Sequence, residues 1–117
     1  MYDHVGLKVK DIDASTRFYE AALAPLGFVR DGSGFGPKGA PALWLYEGGG
    51  KSAGTHVAFA AKDRGAVDRF HSAGVKAGGK DNGAPGLRPH YHANYYAAFV
   101  LDPDGHNIEV VCHEPEA

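Results

Sequence analysis

Along the first ten residues apolar and polar positions alternate. Val5, Leu7 and Val9 stand between His4, Gly6, Lys8 and Lys10, the period-two pattern of a strand with two unlike faces. The period then lengthens: Ala14, Phe18, Ala22 and Leu26 fall four apart, which predicts a helix with one buried stripe. Asp11 or Asp13 caps it by accepting the free backbone N–H groups of the first turn. Pro25 breaks the last turn and Gly27 stops the helix. Residues 28–30 and 42–46 predict two further short strands, separated by the turn-rich stretches 31–34 and 37–39.

The pattern then starts again. His4, Val5, Asp11 and Phe18 recur as His56, Val57, Asp63 and Phe70, all displaced by the same 52 positions. The second copy follows a glycine-rich linker over 47–54. Gly48, Gly49, Gly50 and Lys51 within it lack the spacing and following helix of a phosphate loop. Asp63 caps a second helix with the stripe Ala66, Val67, Phe70 and Ala73, and Gly74 ends it. A long polar loop over 80–94 precedes strands at 95–101 and 107–111. Asp102, Pro103, Asp104 and Gly105 join them, Pro presetting φ and Gly supplying a positive φ. The expected fold is therefore α+β: strand, helix, then two or three strands, twice over. It forms one domain spanning 1–117, with module 1 about 1–50 and module 2 about 54–113.

Composition narrows the function. With 44% hydrophobic and 22% charged residues the chain can bury a core, so disorder is excluded. A net charge of −2 without a basic run argues against nucleic acid or a membrane surface as partner. No apolar stretch reaches the roughly 18 residues of a membrane span, and the polar start lacks a signal-peptide core. A single cysteine, Cys112, rules out an internal disulfide or a Cys-rich zinc site. A soluble, cytoplasmic protein is expected. The 7 histidines matter more, because imidazole is the side chain most often recruited to bind metals or move protons.

If the two modules pack about a pseudo-twofold axis, equivalent residues face each other across it. His4 and His56 then converge from the two first strands, and Trp44 and Glu109 occupy the equivalent positions of the two last strands. Ile108 and Val110 flank Glu109, so its carboxylate emerges on the less apolar side. Two imidazoles and a carboxylate make a three-point site for one divalent ion, with positions left open for water or substrate. Taken singly, His4 reads as a surface residue, His56 as a satisfied core histidine and Glu109 as a solvated strand residue. The repeat is what joins them.

At these residues the chain resembles the vicinal oxygen chelate superfamily of glyoxalases, bleomycin-binding and fosfomycin-resistance proteins and extradiol dioxygenases. The carriers are His4, Arg17-Phe18-Tyr19, Leu26-Gly27-Phe28, His56-Val57-Ala58-Phe59 and the run from Phe99 to Glu109. The resemblance implies paired βαβββ modules forming a half-open sheet around a metal and substrate cavity. It implies a metal on His4, His56 and Glu109, which zinc, iron, manganese or nickel would fit equally. It also implies a small substrate with vicinal oxygens and a homodimer, in which exchanged modules would let His4 meet His56 and Glu109 of the other chain. A lyase, isomerase or dioxygenase reaction follows; a fosfomycin-type thiol transferase and a bleomycin-type binding protein without catalysis are the alternatives. Trp44 stands where glyoxalase I has a fourth ligand, and Phe99 where extradiol dioxygenases have an acidic tyrosine.

The loop over 80–94 carries the remaining candidates. His90 and His92 share one side if extended, Tyr95 and Tyr96 follow, and Arg88 suits a carboxylate or phosphate. Glu109, Tyr96 and His92 are the expected catalytic groups, with Trp44, Arg88, His90 and Phe99 lining the substrate. Arg17, Phe18, Tyr19 and Glu20 read as helix packing, Cys112 as structural, and His106 and His113 as exposed.

Overall fold

The structure, a computed structural model, describes residues 2–48 and 54–115; residues 49–53 of the expected linker lie outside them. Strand β1 (Val5–Val9) leads into helix α1 (Ile12–Leu23) and a 3-10 turn, followed by β2 (Val29–Asp31), β3 (Gly34–Gly36) and β4 (Leu43–Glu47). The second half repeats the order with β5 (His56–Ala60), α2 (Arg64–Lys76), β6 (Lys80–Leu87), β7 (Tyr96–Leu101) and β8 (Asn107–Cys112). Each half forms its own four-stranded mixed sheet, ordered β1-β4-β3-β2 and β5-β8-β7-β6. In both, the first and last strands pair in parallel and the others antiparallel. The α+β class and the two repeated modules stand as expected. Among the described residues no helix is long and apolar enough to cross a membrane.

The helix caps follow the sequence reading. Asp11 Oδ1 accepts from the backbone N–H groups of Asp13 and Ala14 at 3.0 and 3.1 Å, and Asp63 Oδ1 accepts from Ala66 N–H at 2.7 Å. Gly27, at φ 79°, closes the turn after α1 in the left-handed region that disfavours a side chain. The buried stripe of α1 is rotated from the expected one: Ser15, Phe18, Tyr19, Ala22 and Leu23 are buried, while Ala14 and Leu26 are half-buried. A four-residue spacing alone omits the i+3 neighbours that complete a helix face.

Three other expectations are corrected. Gly74 lies inside α2 rather than ending it: it is buried on the face that packs toward Ala22, Phe18 and Val100, where a Cβ would sit in ordinary contact at 3.4 to 3.6 Å. Residues 80–87 form a strand rather than a loop, paired to β7 through two register shifts. Its glycines and Pro85 hid it, and both are tolerated because β6 is an edge strand with bulges. Residues 34–36 likewise form β3 where the sequence suggests only a turn.

The modules meet through α1 and α2, which pack together, and share one core containing Leu7, Phe18, Tyr19, Phe35, Phe70, Val100 and Ile108. Burying each such large apolar side chain contributes roughly 1.5–3 kcal/mol. The turn between β7 and β8 adds a polar joint. Tyr19 Oη donates to Asp102 Oδ2 at 2.5 Å, and Lys10 N–H donates to Asp104 Oδ1 at 2.9 Å. His106, expected to be exposed, is buried at the centre of this joint. Its Nδ1 accepts from Thr55 N–H at 2.9 Å, so its Nε2–H is left to donate to Lys8 O at 3.1 Å, and one neutral ring ties the first strands of both modules.

Candidate functional site

The two sheets repeat a single register. Gly6 stands opposite Trp44 in the first, and Ala58 opposite Glu109 in the second. Because side chains two apart share a strand face, His4 relates to Trp44 as His56 relates to Glu109. On the next strand, Gly34 faces Trp44 and Phe99 faces Glu109.

In the second sheet this register assembles a polar centre. The Glu109 side chain is only 4% exposed, and its Oε1 lies 3.1 Å from His56 Nε2. Its Oε2 accepts a short hydrogen bond from Tyr95 Oη. His56 Nδ1 lies 3.0 Å from the backbone oxygen of Asn107. A carbonyl can only accept, so Nδ1 carries the hydrogen, and Nε2 faces a buried carboxylate oxygen. A proton or a metal cation must stand between the two atoms, since bare acceptors at that distance repel. Metal-ligating imidazoles have the same hydrogen bond from the other ring nitrogen to a fixed acceptor. Burial first, then the hydrogen bond and charge of Glu109, push the Tyr95 phenol up to about 12, against a lowering contribution from Arg88. Tyr95 therefore stays a protonated donor that fixes the carboxylate.

A family model of the Glyoxalase/Bleomycin resistance protein/Dioxygenase superfamily matches residues 2–110. The chain belongs to this superfamily. No curated protein matches it. Among solved structures, a glyoxalase/bleomycin resistance protein from Albidiferax ferrireducens T118 is similar at 29% identity, over 98% of this chain and 99% of the other, with a TM-score of 0.81. The lactoylglutathione lyase from Agrobacterium tumefaciens (20% identity, 96% and 92% covered, TM-score 0.68) and the oxidase ChaP-H2 (21%, 100% and 95%, 0.68) share the fold.

The superfamily's expected ligand trio is not united within one chain. His56 and Glu109 meet, whereas His4 is exposed with its Nδ1 2.7 Å from Asp3 Oδ1. Among the described residues no group of three His, Cys, Asp or Glu side chains comes within reach of one ion. Trp44 is half-buried and lies flat on the first sheet, its ring 2.8 Å from where a Gly34 Cβ would be. Phe99 lies on the site face, stacked at 6.3 Å on His56, with the Arg88 guanidinium 5.5 Å from its ring.

Tyr96 does not join them. Its hydroxyl donates to Asp68 Oδ1 on α2 at 2.6 Å, because strand alternation turns it to the helix side. Tyr95, one residue earlier, shares parity with Phe99 and holds the place expected of Tyr96; that parity is the signal that could have found it. His92 Nδ1 accepts from Asn94 N–H at 3.2 Å, so its Nε2–H donates to His113 Nδ1 at 2.6 Å. The two rings stack at 4.7 Å and pack edge-on against Tyr95. His90 lies tilted at 4.2 Å from the Tyr91 ring, which in turn packs edge-on against Tyr95. His113, exposed as expected, is thus a tether for the 88–95 segment that sequence reasoning missed.

Proposed function

We propose that the protein is a metal-dependent enzyme of this superfamily acting on a small molecule with vicinal oxygens, by a lyase- or dioxygenase-type reaction. The reading rests on one observation: His56, its ring set by Asn107 O, aims Nε2 at a carboxylate oxygen of buried Glu109 at 3.1 Å. A divalent ion held there would supply Lewis acidity toward the substrate oxygens. Glu109 and His56 would be two of its ligands. Tyr95 orients the carboxylate by occupying Oε2, which leaves Oε1 for the ion, and Phe99 holds the imidazole plane. The similar structures that are named as a lyase and an oxidase support this class of chemistry. A binding protein that only sequesters a ligand has no need for an imidazole aimed at a buried carboxylate.

The third ligand is the partner's His4, in a homodimer whose sites are shared between copies. Within one chain His4 pairs with Asp3 and no three-ligand group forms among the described residues, which supports a His4 that serves a second copy. Mixing tests this directly. His4→Ala and Glu109→Gln homodimers should each lose zinc binding in calorimetry, by more than the roughly 10–100-fold that loss of a supporting partner alone costs. Heterodimers refolded from the two variants should regain one intact site. No recovery, with dimers present by light scattering, would sink the shared site; zinc binding unaffected by Glu109→Gln would sink the metal reading.

A further inference from the structure

Strand β6 carries Gly83 and Gly86, and the side chain of Arg88 folds back over them. Its Nη1 donates to Gly86 O at 2.8 Å and its Nη2 to Ala84 O at 3.0 Å. A Cβ on Gly83 would come within 2.8 Å of Phe99 Cδ1 and 3.3 Å of Arg88 Nη2, and one on Gly86 within 3.3 Å of Nη1. Gly83 is therefore bare where the Phe99 ring lies, and the guanidinium packs closely over both glycines.

The position so created is specific. Phe99 lies between Arg88 and His56, 5.5 Å from the guanidinium carbon and 6.3 Å from the imidazole, so Arg88 is held in register with the Glu109 centre. A guanidinium is a delocalised cation with a planar fork of donors. Among the described residues no salt bridge includes it; its two acceptors are carbonyls, which orient a cation without neutralising it. Three of its five N–H donors are left for a ligand. Glu109, the carboxylate of this face, faces His56 and Tyr95 and forms no ion pair with Arg88.

We infer that Arg88 is the anion-recognition point of this face and that the ligand is a small carboxylate, bound by the remaining Arg88 donors beside Phe99. Its vicinal oxygens reach toward His56 and Glu109, and that second half rests on the metal reading above. The anion half stands on Arg88 alone. A planar carboxylate matches the guanidinium fork and can lie against the Phe99 ring.

Benzoate and its neutral analogue benzyl alcohol, titrated calorimetrically into the metal-free dimer, separate the two halves. Wild type should bind benzoate at least about tenfold more tightly than benzyl alcohol, the size of one charge-assisted hydrogen bond. Arg88→Ala should abolish that preference, and Arg88→Lys, which keeps the charge without the fork, should retain only part of it. Circular dichroism verifies the fold, and Arg88→Lys decides if Arg88→Ala does not fold. An unchanged benzoate preference in the folded variants, or binding of inorganic phosphate in place of benzoate, would overturn the proposal. With zinc added, 2,3-dihydroxybenzoate and catechol should both bind more tightly, and Arg88→Ala should weaken only the former. If zinc changes neither while benzoate binding still depends on Arg88, the metal reading fails and the anion site stands.

Discussion

The two sheets put different chemistry on the same register. On the first, Trp44 lies over Gly34, and the Tyr46 ring comes within 3.2 Å of where a Gly6 Cβ would be, so aromatic rings pave bare backbone. On the second, the Trp44 position is Glu109, the Gly34 position is Phe99, and the bare backbone has moved one strand outward to Gly83. Large and small residues have exchanged places between neighbouring strands. The result is one apolar face and one acidic face with a histidine and an arginine beside it. A duplicated backbone therefore fixes where side chains can meet, while the residues at four facing positions decide which copy carries the carboxylate and which the indole.

Breaking the acidic face should have the largest effect. Glu109→Gln should lower zinc affinity by more than about 100-fold, beyond the range for an outer partner, with an unchanged far-ultraviolet spectrum. Trp44→Phe should leave affinity within about threefold, since an aromatic ring supplies no ligand. Equal losses in the two variants would erase the difference between the sheets.

Next comes the joint between modules, where the repeat also diverges. Tyr19 and His71 are equivalent under the 52-residue shift. Tyr19 donates to Asp102 in the core, whereas His71 Nε2 meets the exposed Asp81 at 2.8 Å. Tyr19→Phe leaves a buried carboxylate oxygen without its donor and should cost about 1–3 kcal/mol in urea unfolding. Burial first, then the Asp102 charge, hold the Tyr19 phenol far above its ordinary 10.0. Its stabilisation is thus complete below that value and declines as the pH rises past it, because the unfolded chain ionises there first. The alkaline slope should flatten in Tyr19→Phe.

Swapping the bare positions should act on a similar scale. Gly34→Ala drives a methyl into Trp44, and Gly83→Ala drives one into Phe99, each at 2.8 Å, with Gly83 also at a φ of 154° that side chains rarely adopt; both should destabilise by about 1–3 kcal/mol as overpacking and backbone strain do. Only Gly34→Ala should shift the fluorescence of Trp44, the chain's single tryptophan. Only Gly83→Ala should weaken benzoate.

The smallest effect belongs to the exposed pair. The hydrogen bond from His71, then that from Gly83 N–H, hold Asp81 below its ordinary 3.8. Its contribution is present above that value and is lost as the pH falls through the lowered one. His71→Ala should raise the Asp81 carboxyl titration seen by NMR, with no measurable change in global stability at neutral pH.

Much of this fold is legible along the chain, because caps and alternation are local. Asp11 and Asp63 cap where the carboxylates stand, and the repeat displays its register through His4, His56, Trp44 and Glu109. The misreadings have a common physical origin. Gly34, Gly74, Gly83 and Gly86 look like punctuation, yet all four lie inside regular elements, and at Gly34 and Gly83 an aromatic ring occupies the space a Cβ would need. His106 sits beside a turn and reads as solvent-exposed, but the turn is buried against β1 and the start of β5.

By itself the sequence determined the module order, the faces of the strands and the pairing of His56 with Glu109, since these depend on spacing within a module. Only the tertiary structure decided that His4 stands apart from them, that Tyr95 rather than Tyr96 reaches the carboxylate, and that Arg88 lies over a glycine floor. Those outcomes depend on how α1 packs on α2 and on two register shifts in β6, and such contacts between distant segments are set by packing that no local period records.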